Sequence, residues 1–203
     1  MRLFLETNFI LELTLKQSEA GVAEGLVDAA KRGEIGLAMP AFSLIEPYYK
    51  LAGDKRKRVK LLEAIDEEVD QMVRSSGFES LRDQSIALTT ALTDKADADR
   101  KEFEVHLEAL SKIATIIPLT AEVIRDSKLV DLAPFDGLVF ASILSNLKSD
   151  PVAEGVFASK DKKGFLQKSV VSKLQDMNCT VVPTFKDAMA FINARRPGGA
   201  KST

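Results

Sequence analysis

The chain has 203 residues, of which 45% are hydrophobic, enough to bury a substantial core. Lys+Arg number 28 against Asp+Glu 30, and the resulting charge of -2 neither marks nor excludes a nucleic-acid binder. A single cysteine, Cys179, and a single histidine, His106, rule out an intramolecular disulfide, a Cys-based zinc site and a two-histidine metal site.

Residues 3–6 have the pattern of a strand ending in an acid, Leu3-Phe4-Leu5-Glu6, and Phe9-Ile10-Leu11 with Leu13 begins a helical pattern. A second helix is predicted from about Glu19 to Arg32, with Gly33 at the C-cap position. Ile35 to Met39 forms a short apolar strand closed by Pro40. The next helix carries Phe42, Leu44, Ile45 and Glu46, and Pro47 is expected to kink or restart it.

From Asp54 to about Ala114 there is no strand signal. Three amphipathic stretches, near 59–73, 79–94 and 98–112, are predicted to form a helical insertion broken at Ser75-Ser76-Gly77. His106 falls in its charged part, and no G-x-S-x-G elbow exists, so a Ser-His-Asp triad has no support. Alternation resumes with the strand Thr115 to Leu119, whose Pro118 suits an edge or terminal position. Thr120 has the character of an N-cap, and Pro134-Phe135-Asp136 opens an apolar helix. A strand near 155–159, a helix near 164–177, the strand Cys179 to Pro183 and a helix near 184–195 follow. Residues 1–195 are thus read as one α/β unit with a mostly parallel sheet flanked by helices and an insertion at about 54–114. Residues 196–203 are read as a flexible tail. Their Gly and Lys lack phosphate-loop spacing, and no G-x-G-x-x-G follows the first strand. The N-terminus shows no signal-peptide pattern and no apolar run reaches ~20 residues, so the expected location is the cytoplasm, without membrane contact.

Four carboxylates fall where a parallel sheet collects its functional groups, outside the carboxyl ends of the strands: Glu6, Glu46, Asp136 and Asp161. Acids sharing one cleft repel each other unless a hard cation holds them, which points to Mg²⁺ or Mn²⁺. Each also has an ordinary reading. Glu6 and Asp136 suit helix N-termini, Glu46 a helix surface, and Asp161 a loop among lysines. Asn8 and Ser159 are placed to orient neighbouring acids, or to serve simple turns. Lys160, Lys162 and Lys163 flank Asp161, where a substrate phosphate would arrive. The run Lys55-Arg56-Lys57-Arg58 reads as a solvated face. Tyr48 and Tyr49 are read as core or groove-wall residues.

Four of these segments, in this order, resemble the motifs of PIN-domain nucleases. They are the strand-acid-Thr-Asn opening Leu3 to Leu13, the acid-bearing Met39 to Glu46, the helix start Phe135 to Ala141, and the strand-end Phe157 to Asp161. The resemblance covers residues 1–52 and about 115–195. It implies a PIN-like fold and a metal-dependent endonuclease, most naturally on RNA, with Glu6, Glu46, Asp136 and Asp161 as catalytic metal ligands. Small members, the toxins of toxin–antitoxin pairs, further imply an inhibitory protein partner; a homo-oligomer is also open. The sequence departs from the family at Glu6, where Asp is usual. The departure leaves open a PIN-fold module that has lost catalysis and works by binding nucleic acid or protein. DNA stays open as a substrate, and a metal-dependent phosphatase is disfavoured because no D-x-D follows the first strand.

Overall fold

The first strand, β1 (Arg2–Leu5), carries Leu3 and Leu5 on one face and Phe4 on the other, and all three are fully buried. Side chains alternate across a strand, so burial on both sides places helices over both faces of the sheet. The computed structural model, which describes residues 1–75 and 77–195, shows that arrangement. Five parallel strands lie in the order β3-β2-β1-β4-β5, with β2 Gly36–Pro40, β3 Ala114–Ile117, β4 Gly155–Ala158 and β5 Cys179–Val182. The α/β class and parallel sheet expected from the sequence are both present, and β3, which Pro118 follows, is an edge strand. The expected tail, 196–203, lies outside the described residues, as does Ser76.

One layer of the core joins Leu3, Leu5, Leu37, Met39 and Val156 to the helices α1 (Thr7–Leu15), α2 (Ala20–Lys31) and α8 (Phe185–Asn193). The other joins Phe4, Ala38 and Phe157 to α6 (Pro134–Ser149) and α7 (Lys168–Gln175). Gly33 adopts φ 74 just past α2, a left-handed turn that suits glycine. Thr120 caps the short α5 (Ala121–Ser127) by accepting a hydrogen bond from the Val123 amide at 3.2 Å.

The middle of the chain differs from expectation. It forms two helices rather than three, α3 (Ala41–Met72) and α4 (Leu81–Ile113), each about 50 Å long at 1.5 Å per residue. The break expected around Ser75 and Gly77 falls between the two helices, whereas the other expected interruptions fail for local reasons. Pro47 lies in the second turn of α3, which continues through it, and the residues 94–98 hold no Gly or Pro to stop α4. The arm is therefore an outgrowth of the helix that bears Glu46, not a separate piece starting at 54. Its two helices are tied by Lys55–Asp97 at 3.1 Å, Arg82–Asp70 at 2.6 Å and Arg58–Asp99 at 3.7 Å. Most of the basic run at 55–58 is spent on these and a Lys57–Asp54 contact.

The strand order reverses at β1. The chain moves from β1 outward to β2 and β3, then returns to place β4 on the other side of β1. The crevice at the carboxyl ends of β1 and β4 is thus a topological switch point, the usual location of sites in open α/β sheets.

Candidate acidic site at the sheet switch point

The register brings Leu5 opposite Ala158, so the next residues, Glu6 and Ser159, emerge side by side. Glu6 leaves the strand in extended conformation and caps α1, its Oε2 accepting the Asn8 amide at 2.8 Å. Its Oε1 accepts the Ser159 hydroxyl at 3.2 Å. Only 4% of Glu6 is exposed, and burial, opposed by the hydrogen bonds from Asn8 and Ser159 and aided by the Glu46 charge, raises its carboxyl pKa to about 7. Asn8, through its backbone amide, and Ser159, through its hydroxyl, both touch Glu6, and Ser159 serves two acids. Its Oγ also accepts the Asp161 amide at 3.1 Å.

Glu46 and Asp136 approach from the opposite wall. Phe42, at the start of α3, packs on Phe135, at the start of α6, with ring centroids 4.9 Å apart. That contact draws the first turns of the two helices together. Glu46, one turn after Phe42, accepts a hydrogen bond from the Thr7 hydroxyl. Asp136 follows Phe135 directly and is half-buried in the first turn of α6. Burial raises its pKa, and the charges of Asp161 and Glu46 raise it further. A helix N-terminus favours the ionised form; here desolvation and the neighbouring acids outweigh it.

Asp161 divides its two oxygens between structure and cleft. Oδ1 accepts the amides of Lys163 and Gly164, at 2.9 and 3.1 Å, closing an Asx turn. Oδ2 points across to Asp136. The two aspartates converge on Gly164, where a Cβ would lie 2.6 Å from Asp161 Oδ2 and 3.0 Å from Asp136 Oδ2. Glycine leaves room between the carboxylates, which a Cβ would push aside. A cleft of about 450 Å³ opens over the pair, lined also by Asp131, Leu132, Lys163 and Gln167.

The sequence-predicted acids thus share one end of the sheet in a graded way. Asp136 and Asp161 face each other, Glu46 stands close enough to act on both Asp136 and Glu6, and Glu6 is the most deeply held. Among the described residues no three His, Cys, Asp or Glu side chains form a group that would hold an ion by themselves. The Asp136–Asp161 pair, with its glycine-made space, fits a hard cation of the magnesium kind. Such ions keep several waters and take one or two carboxylates plus substrate oxygens.

The lysines separate. Lys163 lines the cleft and Lys162 is exposed on the same turn. Lys160 turns away, and its Nζ lies 2.9 Å from Oε2 of Glu12, a carboxylate only 1% exposed. Glu12 also accepts the Glu19 amide, and Glu19 in turn accepts the Phe185 amide at 3.0 Å. Sequence reasoning missed this chain, the Thr7–Glu46 contact, Asp131 and Gly164. Thr7 stood in the acid-Thr-Asn motif with no role read for it, and Gly164 carried a local signal as the glycine ending Asp161-Lys162-Lys163-Gly164. The side chains left over do not compete for the chemistry. His106, half-buried on α4, lies 3.8 Å from Glu102, and burial pushes the Cys179 thiol up to about 12.

No family model and no curated protein matches the chain. Among solved structures it is similar to the crystal structure of VapBC2 from Rickettsia felis bound to a DNA fragment from their promoter. That similarity has 12% identity and a TM-score of 0.43, covering 90% of this chain and 98% of the other.

Proposed function

We propose that this chain is a divalent-cation-dependent endonuclease acting on RNA, with its centre at the switch-point acids. The observation that carries the reading is the Asp136–Asp161 pair, two carboxylates aimed at one spot above Gly164 inside an open cleft. Burial and the neighbouring Asp161 charge raise the Asp136 pKa, and a cation is the natural counter-charge. The ordered PIN-like segments, Leu3 to Leu13, Met39 to Glu46, Phe135 to Ala141 and Phe157 to Asp161, support the same reading.

Asp136 and Asp161 would hold Mg²⁺ or Mn²⁺ together with waters and substrate oxygens, while Glu46, held by the Thr7 hydroxyl, would add negative charge nearby without completing a third ligand position. When bound, such an ion supplies Lewis-acid stabilisation of the scissile phosphate and activates water for in-line attack. Glu6, fixed by Asn8 and Ser159, sets the β1 end and holds Ser159, which positions Asp161 through its amide. Lys163, on the cleft wall, and Lys162 beside it offer positive charge to an arriving phosphate. An inhibitory protein partner, self-association and a cytoplasmic location go with this reading.

The test is cleavage of labelled RNA and DNA strands with and without EDTA, for the native chain and Asp136→Asn. The expected result is cation-dependent RNA cleavage that falls a hundred- to a thousandfold in the variant, the usual cost of losing one electrostatic contributor. Cleavage that survives EDTA, or full activity in the variant, would contradict it.

A second reading is favoured by one observation. Glu6, the position where Asp is usual, accepts two hydrogen bonds and caps a helix, roles that need no cation. On that reading the chain is a PIN-like binding module whose cleft takes up no metal.

A further inference from the structure

We propose that the groove between α3 and α4, directly beyond Glu46, is a binding subsite for single-stranded nucleic acid, with Tyr49 as its stacking platform. For the direction in which the strand runs, the proposal rests on the nuclease reading of the acids.

Tyr49 is 72% exposed, the ring of a large side chain left in solvent one turn after Glu46. Tyr48 beside it is fixed, standing edge-on to the buried Phe103 with centroids 4.6 Å apart and planes at 90°. The two tyrosines wall a groove of about 430 Å³ whose other charged lining residues are Lys55, Arg56, Arg100 and Asp97. Three cations against one acid give this groove the opposite sign to the chain as a whole. Lys55 is paired with Asp97 at 3.1 Å and Arg100 with Glu104 at 3.2 Å, both at the surface where such pairs are weak and exchange readily for phosphate. Arg56 has no ion-pair partner among the described residues.

Helix geometry aligns these groups with the acids. Tyr49 and Arg56 are seven residues apart, two turns along the same side of α3. From Glu46 to Arg56 the rise is about 15 Å, the reach of a few nucleotides. A strand with one phosphate at the acidic cleft would lay a neighbouring base on Tyr49 and later phosphates on Arg56 and Arg100. An exposed aromatic inside a basic groove is the combination that binds single strands without reading their sequence.

The test is fluorescence anisotropy with labelled RNA and DNA strands of about ten nucleotides, in EDTA, so that binding is read without turnover or cation. Cleavage with added Mn²⁺ is measured separately on the same preparations. Tyr49→Ala is expected to weaken binding by about five- to a hundredfold, while Tyr49→Phe retains it because the ring remains. Arg56→Gln should lower the slope of log affinity against log salt by about one unit. Binding that depends on Tyr49 without any cleavage would uphold the subsite and remove the catalytic reading. Cleavage with binding indifferent to Tyr49→Ala would remove the subsite and leave the catalytic reading standing. If neither RNA nor DNA binds the folded chain, the subsite is overturned and the groove is left to a protein partner.

Discussion

The two sides of the acidic cleft are built on opposite terms. On the sheet side, Glu6 is buried, accepts hydrogen bonds at both oxygens and joins β1, α1 and the end of β4. At the cleft itself, Asp136 on α6 and Asp161 just past β4 are half-exposed, and each keeps an oxygen near the space above Gly164. Glu6 serves the fold through donors at both oxygens, whereas Asp161 spends only Oδ1 on a turn and keeps Oδ2 beside Asp136. The difference teaches that clustering alone does not assign a role, and that the pattern of donors around each oxygen does.

Lys160 gives the largest expected effect on stability. Lys160→Ala removes the cation from Glu12, an almost wholly buried carboxylate, and should destabilise the chain by about 3 kcal/mol in urea unfolding. Lys163→Ala, on the cleft wall, should leave stability within about 0.5 kcal/mol and weaken RNA binding instead. Equal stability losses would erase the distinction drawn between the two lysines.

Buried Glu6 makes stability depend on pH. Its carboxyl titrates near 4.5 unfolded and about 7 folded, so between those values the native state holds the extra proton. The contribution to stability is complete below 4.5 and is lost as pH climbs through the window to about 7. In EDTA the native chain should lose on the order of 3 kcal/mol between pH 4.5 and pH 8 from this group, and Glu6→Gln should flatten that decline. Stability that rises over the same range, with no difference between the two proteins, would show that Glu6 is ionised in the fold.

Gly164→Ala perturbs the other side alone and more gently. The backbone there tolerates a side chain, but the new Cβ would press on both aspartate oxygens. Mn²⁺ affinity should drop about tenfold, or about 1.4 kcal/mol, with the melting temperature nearly unchanged. Unaltered affinity would place the cation somewhere other than between Asp136 and Asp161.

Much of this architecture was legible from residue order. Leu3-Phe4-Leu5-Glu6 and Val156-Phe157-Ala158-Ser159 announced strands with polar ends, and the short apolar runs between helices announced a parallel sheet. The arm was less legible, because Pro47 suggests a kink or restart that α3 does not make, and nothing local at 94–98 decides between one helix and two. Lys160 was misplaced for a different reason. Its partner Glu12 is 148 residues away in the chain, and nothing local distinguishes a lysine that turns inward from its neighbours Lys162 and Lys163. The division of Asp161 between turn and cleft is likewise a matter of rotamer, invisible in a string of letters, although the glycine that makes room for it was in plain view.

Calorimetric titration of the native chain with Mn²⁺, alongside Asp136→Asn and Asp161→Asn, reads directly whether these carboxylates hold a cation. Saturable binding that either substitution weakens by tenfold or more, with the melting temperature held, is the predicted result. A native protein that takes up no Mn²⁺, or binds it equally well without Asp136 and Asp161, would contradict the assignment of a cation to these carboxylates.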